Sequence, residues 1–123
     1  MATIYEMYGF SPHRMTIALM EAADVASIVP KGGRVALKPN LVAASSPDQG
    51  ATTHAGVLSG AIQYLREQGV TNIEIIEGSW GGDRTKAAMK AAGYYKVCEK
   101  YGVPFYDLKD DSSTPVDTPF GPI

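Results

Sequence analysis

Apolar residues are spaced along this chain in two distinct ways, and the difference separates strands from helices. Val35, Ala36 and Leu37 follow one another without polar alternation, the pattern of a parallel strand covered on both faces. Val57, Leu58, Ala61, Ile62 and Leu65 recur at helical spacing, with Thr52 or Thr53 placed to cap the start and Gly69 to close the end. Residues 72–77 (NIEIIE) and 103–108 (VPFYDL) read as further short strands. Between them Asp83 is placed to cap a helix carrying Ala87, Ala88, Ala91 and Ala92, which Gly93 interrupts before Tyr94, Val97, Cys98 and Tyr101 repeat at helical spacing. Residues 3–8 (TIYEMY) are aromatic and β-branched enough to predict one more strand. Ser11-Pro12 then signals a helix to about Ala26, with Met15, Ala18, Leu19, Ala22 and Ala26 on one face.

Strands alternating with helices predict an α/β fold: a three-layer (αβα) domain with a mainly parallel sheet of about four strands over residues 3–108. Residues 109–123 (KDDSSTPVDTPFGPI) have no usable period and read as an irregular tail or a truncated excursion. In such sheets ligands sit outside the carboxyl ends of the strands. Two loops therefore stand out, residues 38–53 and 77–84. The first begins with Lys38-Pro39-Asn40, and a lysine and a proline both suit a strand's end better than its middle. It then runs on through small polar residues for longer than the usual connection.

Composition narrows the function classes. With 123 residues, 45% hydrophobic and 20% charged, the chain is the size of one ordinary globular domain. A formal net charge of -2 and a pI near 5.6 supply no basic field, which sets nucleic acid and anionic membranes aside as partners. No apolar run approaches a membrane span and no signal-peptide pattern opens the chain, so the plain expectation is a cytoplasmic protein. The lone Cys98 cannot form an internal disulfide or hold a metal cluster by itself.

The segments VALKPNLV, GATTH and NIEIIEGS resemble the prokaryotic domain-of-unknown-function family 362 over roughly residues 4–108. The most specific part is Lys38-Pro39-Asn40-Leu41-Val42 followed by Thr52-Thr53-His54. Ala55 stands where the family usually has a proline, which loosens that helix start. The resemblance implies a longer family domain of which this is the N-terminal part. It also implies association with ferredoxin-like [4Fe-4S] modules. One cysteine makes no cluster site, so no cofactor is expected in this chain and 4Fe-4S belongs only to associated or fused modules.

The candidate ligand-binding residues are Lys38, Asn40, Thr52, Thr53, His54, Glu77, Ser79 and Arg84. Lys38 and Asn40 offer a cation and an amide at a strand's end, fit for a carboxylate or phosphate. The alternative is that Lys38 pairs with Glu77 or Asp83 while Asn40 braces the loop. Thr52, Thr53 and His54 open a helix, where free amides favour an anion, although capping alone explains a threonine. Ser79 and Arg84 flank a glycine-rich turn that matches neither the G-x-G-x-x-G nor the G-x-x-x-x-G-K-[ST] pattern, and Trp80 there reads equally as a lid over apolar surface. Glu77 with Asp83 or Asp48 is weak as a metal site, and no metal is assigned. Cys98 reads as an inert core thiol.

Catalytic residues are not identified, and whether the chain is an enzyme stays open. The first expectation is binding of an anionic small molecule at the strand-end loops, as part of a redox-associated enzyme with a ferredoxin-like partner. The alternative is a non-catalytic interaction or assembly module, with a homodimer formed through an exposed sheet edge.

Overall fold

The computed structural model describes residues 2–30, 32–119 and 121–122. Helix α1 (Pro12–Ala22) opens on Pro12, as expected, and Asp24 in the left-handed region (φ 48) breaks the chain before the short α2 (Val25–Ile28). The single helix expected to run to Ala26 is therefore two, because a left-handed residue cannot continue a right-handed helix. Strand β1 (Val35–Leu37) leads through a 3-10 turn (Pro47–Gln49) into α3 (Ala55–Glu67). Strand β2 (Ile73–Glu77), helices α4 (Thr85–Ala92) and α5 (Tyr94–Tyr101), and strand β3 (Phe105–Asp107) follow.

The three strands form one parallel sheet in the order β1-β2-β3, with Val35 opposite Ile73 and Ile75 opposite Phe105. The α/β class and the parallel sheet thus follow the sequence reading. The sheet has three strands rather than about four, since residues 3–8 form no strand and lie exposed, Ile4 at 89% and Tyr8 at 87%. The last stretch carries a short antiparallel ladder, β4 (Asp117–Thr118) with β5 (Gly121–Pro122).

Right-handed crossovers between consecutive neighbours put their helices on the same side of a sheet. The core agrees: Leu58, Ile62 and Leu65 from α3, Ala88 and Met89 from α4, and Tyr94 and Val97 from α5 pack with Ile73 and Ile75, and with the half-buried Val35, Leu37 and Phe105. The alternate strand positions face the other way. There Ala36 and Tyr106 are exposed and Ile76 only half-buried. The second helical layer of an αβα sandwich is not formed by the described residues, and the apolar run of β1 is covered on one face.

Helix α1 lies along α3. Its approach depends on Gly60, where a Cβ would fall 2.5 Å from the His13 carbonyl oxygen and 2.9 Å from Thr16 Cβ. The His13 ring adds polar contacts across the seam, to Ser59 Oγ at 3.2 Å and Gln63 Oε1 at 2.9 Å.

Candidate functional site

All three strands end at one rim, and the residues that follow them build it. After β1, Lys38 Nζ lies 2.5 Å from Glu77 Oε2 at the end of β2. Glu77 is 7% exposed and its Oε1 accepts from its neighbour's amide, Gly78 N–H, at 3.1 Å. The contact to Lys38 is an ion pair without hydrogen-bond alignment, so Oε2 remains a buried acceptor with no hydrogen bond. A carboxylate this buried is tenable only beside a cation, which places Lys38 in the pairing that the sequence offered as the alternative to a ligand contact.

The first loop is closed by its own backbone and side chains. Asn40 Nδ2 donates to the Ala51 carbonyl at 2.8 Å, and the Asn40 carbonyl accepts from Thr53 N–H at 2.8 Å. The Tyr94 hydroxyl donates to the Thr53 carbonyl at 2.8 Å. Burial, partly offset by the Thr53 side chain and reinforced by the charge of Glu77, pushes the Tyr94 hydroxyl up to about 12. His54, not Thr52 or Thr53, is the cap of α3: its Nδ1 accepts from Gly56 N–H at 3.0 Å. Capping by an imidazole frees Thr52, which is buried with Oγ1 making no hydrogen bond.

The second loop is organised by a residue that the sequence reading passed over. Lys109, two residues beyond β3, donates from Nζ to Ser79 Oγ at 2.9 Å, the Trp80 carbonyl at 3.0 Å and the Asp83 carbonyl at 2.7 Å. The signal was present, because Lys109 follows its strand as Lys38 follows β1, and the same rim rule applies to both. Ser79 is buried, shares its hydroxyl with Thr85 Oγ1 at 3.3 Å and donates to the Asp83 carbonyl at 2.8 Å. Asp83 does not cap α4; the cap position is Arg84. Its carboxylate instead joins the two loops, accepting from Ala44 N–H at 2.7 Å and Arg84 N–H at 2.9 Å, and these bonds hold its pKa below the ordinary value. Trp80 N–H donates to the Val42 carbonyl at 2.8 Å, a second link. The Trp80 ring lies over Gly82, where a Cβ would fall 2.5 Å from it, and remains 70% exposed rather than closing over apolar surface.

The structure therefore gathers Lys38 with Glu77, Asn40 with Thr53, and Ser79 with Thr85 and Lys109, while the Arg84 side chain turns outward. Arg84 lines a cavity of about 680 Å³ together with Lys86, Lys90, Lys109, Asp83 and Asp107. Among the described residues the ion pairs are Arg34–Glu74 and Lys38–Glu77, which leaves Arg84, Lys86 and Lys90 without an acidic partner. Lysine and arginine groups so placed can receive a carboxylate or a phosphate. No group of three or more His, Cys, Asp and Glu is placed to hold a metal ion among the described residues. No described helix is long and apolar enough to cross a membrane.

No curated protein and no solved structure matches the chain. A family model does match, over residues 35–123, which takes in every strand, both loops of the rim and the stretch after Leu108. The chain belongs to the family described as Domain of unknown function (DUF362).

Proposed function

We propose that the protein binds a small carboxylate- or phosphate-bearing molecule at the carboxyl end of its sheet, in the cavity beside the loops that follow β2 and β3. One observation carries this reading: Arg84, Lys86 and Lys90, none of them in an ion pair with a described residue, line a single cavity of about 680 Å³ beside the tethered Lys109. Three acids line the same cavity: Asp83 is committed to two backbone amides and Asp107 Oδ1 to Lys109 N–H at 3.1 Å, while Asp110 forms no ion pair with a described residue. The cations outnumber the acids, which favours an incoming anion. Lys38, Asn40, Thr53 and His54 serve as the frame of the adjoining loop, and Ser79 holds Lys109 in position.

The test is an amide-shift titration of the whole chain with inorganic phosphate and with succinate at low ionic strength, where such contacts are least screened. Saturating shifts at Thr85, Lys86 and Lys109 are expected, with affinity falling about five- to tenfold in Arg84→Ala and Lys90→Ala. Shifts that never saturate, or that persist unchanged in both variants, would overturn the reading.

A second reading, an assembly module, is favoured by the uncovered sheet face, where Tyr106 is 54% and Leu108 40% exposed. On that reading two copies meet through the sheet, burying surface that a monomer leaves in water. Sedimentation would then show a concentration-dependent dimer that Tyr106→Lys abolishes, and a monomer at all concentrations removes it.

A further inference from the structure

A second cavity, of about 400 Å³, adjoins the cationic one and changes what the ligand must look like. It lies between α4, α5 and β3. Met89, Cys98, Val103 and Phe105 form its apolar wall, and Met89 and Val103 are each 4% exposed. Its mouth is polar. Thr85, Lys86, Tyr95, Asp107 and Asp110 line both cavities, so the two form one cleft with an apolar end and a charged end. Along that cleft the apolar wall comes first, Asp107, Asp110 and Lys86 lie where the two cavities meet, and Arg84 and Lys90 line only the far end. Asp110 forms no ion pair with a described residue, and Asp107 has one carboxylate oxygen uncommitted.

We propose that the cleft binds a free α-amino acid with a large apolar side chain. This rests on the anion-binding reading above and specifies its ligand. An α-amino acid projects an apolar side chain, an ammonium and a carboxylate from one carbon, and the cleft offers a partner for each. The side chain enters the 400 Å³ end, a volume within the range of small-molecule sites. The ammonium meets Asp107 and Asp110. The carboxylate meets Lys86 and Arg84. Competing ligand classes each leave part of the cleft unmatched: a fatty acid faces two carboxylates without a donor, an alkylamine leaves the cations unused, and inorganic phosphate occupies the cationic end alone and leaves the apolar wall empty.

Cys98 is the single cysteine of the chain and lines the apolar wall, so its labelling reports occupancy. Burial raises the thiol pKa, and labelling with a disulfide reagent at about pH 8 is therefore slow enough to follow. Phenylalanine, leucine and methionine at about 5 mM are expected to slow labelling of the intact chain at least about threefold. Both 3-phenylpropanoate and 2-phenylethylamine, each lacking one charge, should bind about tenfold more weakly than phenylalanine. Asp110→Asn and Lys86→Gln should each weaken phenylalanine about tenfold, while Lys96→Ala, on the exposed side of α5, leaves it unchanged. Amide shifts of Val103 and Tyr106 provide a readout independent of the thiol.

If no amino acid of the three slows labelling or moves those amides, the assignment is overturned. It also falls if 3-phenylpropanoate matches phenylalanine while still depending on Arg84 and Lys90, and in that case the anion-binding reading survives. If phosphate, succinate and 3-phenylpropanoate all fail to bind as well, both readings fall together.

Discussion

The two loops at the rim look alike in sequence, each a strand end followed by small and polar residues, yet they use those residues in opposite ways. Around residues 38–54 the polar groups are turned on one another: Lys38 on Glu77, Asn40 on Ala51, His54 on Gly56 and the Thr53 carbonyl on Tyr94. Around residues 78–84 and 107–110 a knot of the buried Ser79 and Thr85 with the exposed Lys109 holds the backbone, and Arg84, Lys86 and Lys90 are left facing a cavity. A polar residue near the rim thus becomes a brace or stays open to solvent according to whether the fold provides it with a partner. Burial decides which partners are obligatory, because the buried Glu77 carboxylate is paired with Lys38 whereas an exposed arginine needs no partner.

Substitutions can break this contrast at graded strength. The largest effect is expected at the support of the first loop, where α3 starts beneath α1. Gly60→Ala would drive a methyl against the His13 carbonyl and should cost about 3 kcal/mol, read as a lowered urea midpoint with an unchanged slope. An unaltered midpoint would mean that α1 does not hold this position against α3.

A smaller loss separates the two loops directly. Lys38→Ala strands the Glu77 carboxylate and should destabilise by about 1–2 kcal/mol, less than the cost for a fully buried pair because Lys38 itself is 58% exposed. Phosphate binding at Arg84 and Lys90 should be untouched. Arg84→Ala should do the reverse, changing stability by less than about 0.5 kcal/mol while weakening the anion. A Lys38→Ala protein that is fully stable yet blind to phosphate would exchange the roles of the two loops.

The smallest expected effect lies where α5 meets the first loop. Tyr94→Phe removes the hydrogen bond to the Thr53 carbonyl and should cost about 1 kcal/mol. The pH dependence has a definite sign. The hydroxyl is raised from 10.0 to about 12 in the folded chain, so its contribution is complete below pH 10 and is lost as the pH climbs from there through about 12. Wild type should therefore lose stability across that alkaline window by more than Tyr94→Phe does. Parallel profiles for the two proteins would remove the coupling.

Much of the fold was legible because its determinants are local. The α3 stripe from Val57 to Leu65, the apolar strands β1 and β2, and the glycine at position 93, which adopts a left-handed φ of 78, each announce themselves within a few residues. Residues 3–8 misled for the same reason, since aromatic and β-branched side chains favour a strand while pairing requires a neighbour that only the assembled sheet can supply. The caps were misplaced because several residues in succession were able to cap, and the imidazole of His54 was the one positioned to accept.

By itself, then, the sequence determined the α/β class and the order of helices and strands from β1 to β3, since periodicity and chain-breaking residues act over short distances. Only the tertiary structure decided that Lys38 belongs to Glu77, that Lys109 closes the second loop, and that one face of the sheet lies uncovered. It alone joined an apolar cavity to a cationic one, using residues from α4, α5 and the end of β3. The energy of a charge or an apolar surface is set by what lies against it through space, and spacing along the chain carries no record of that neighbour.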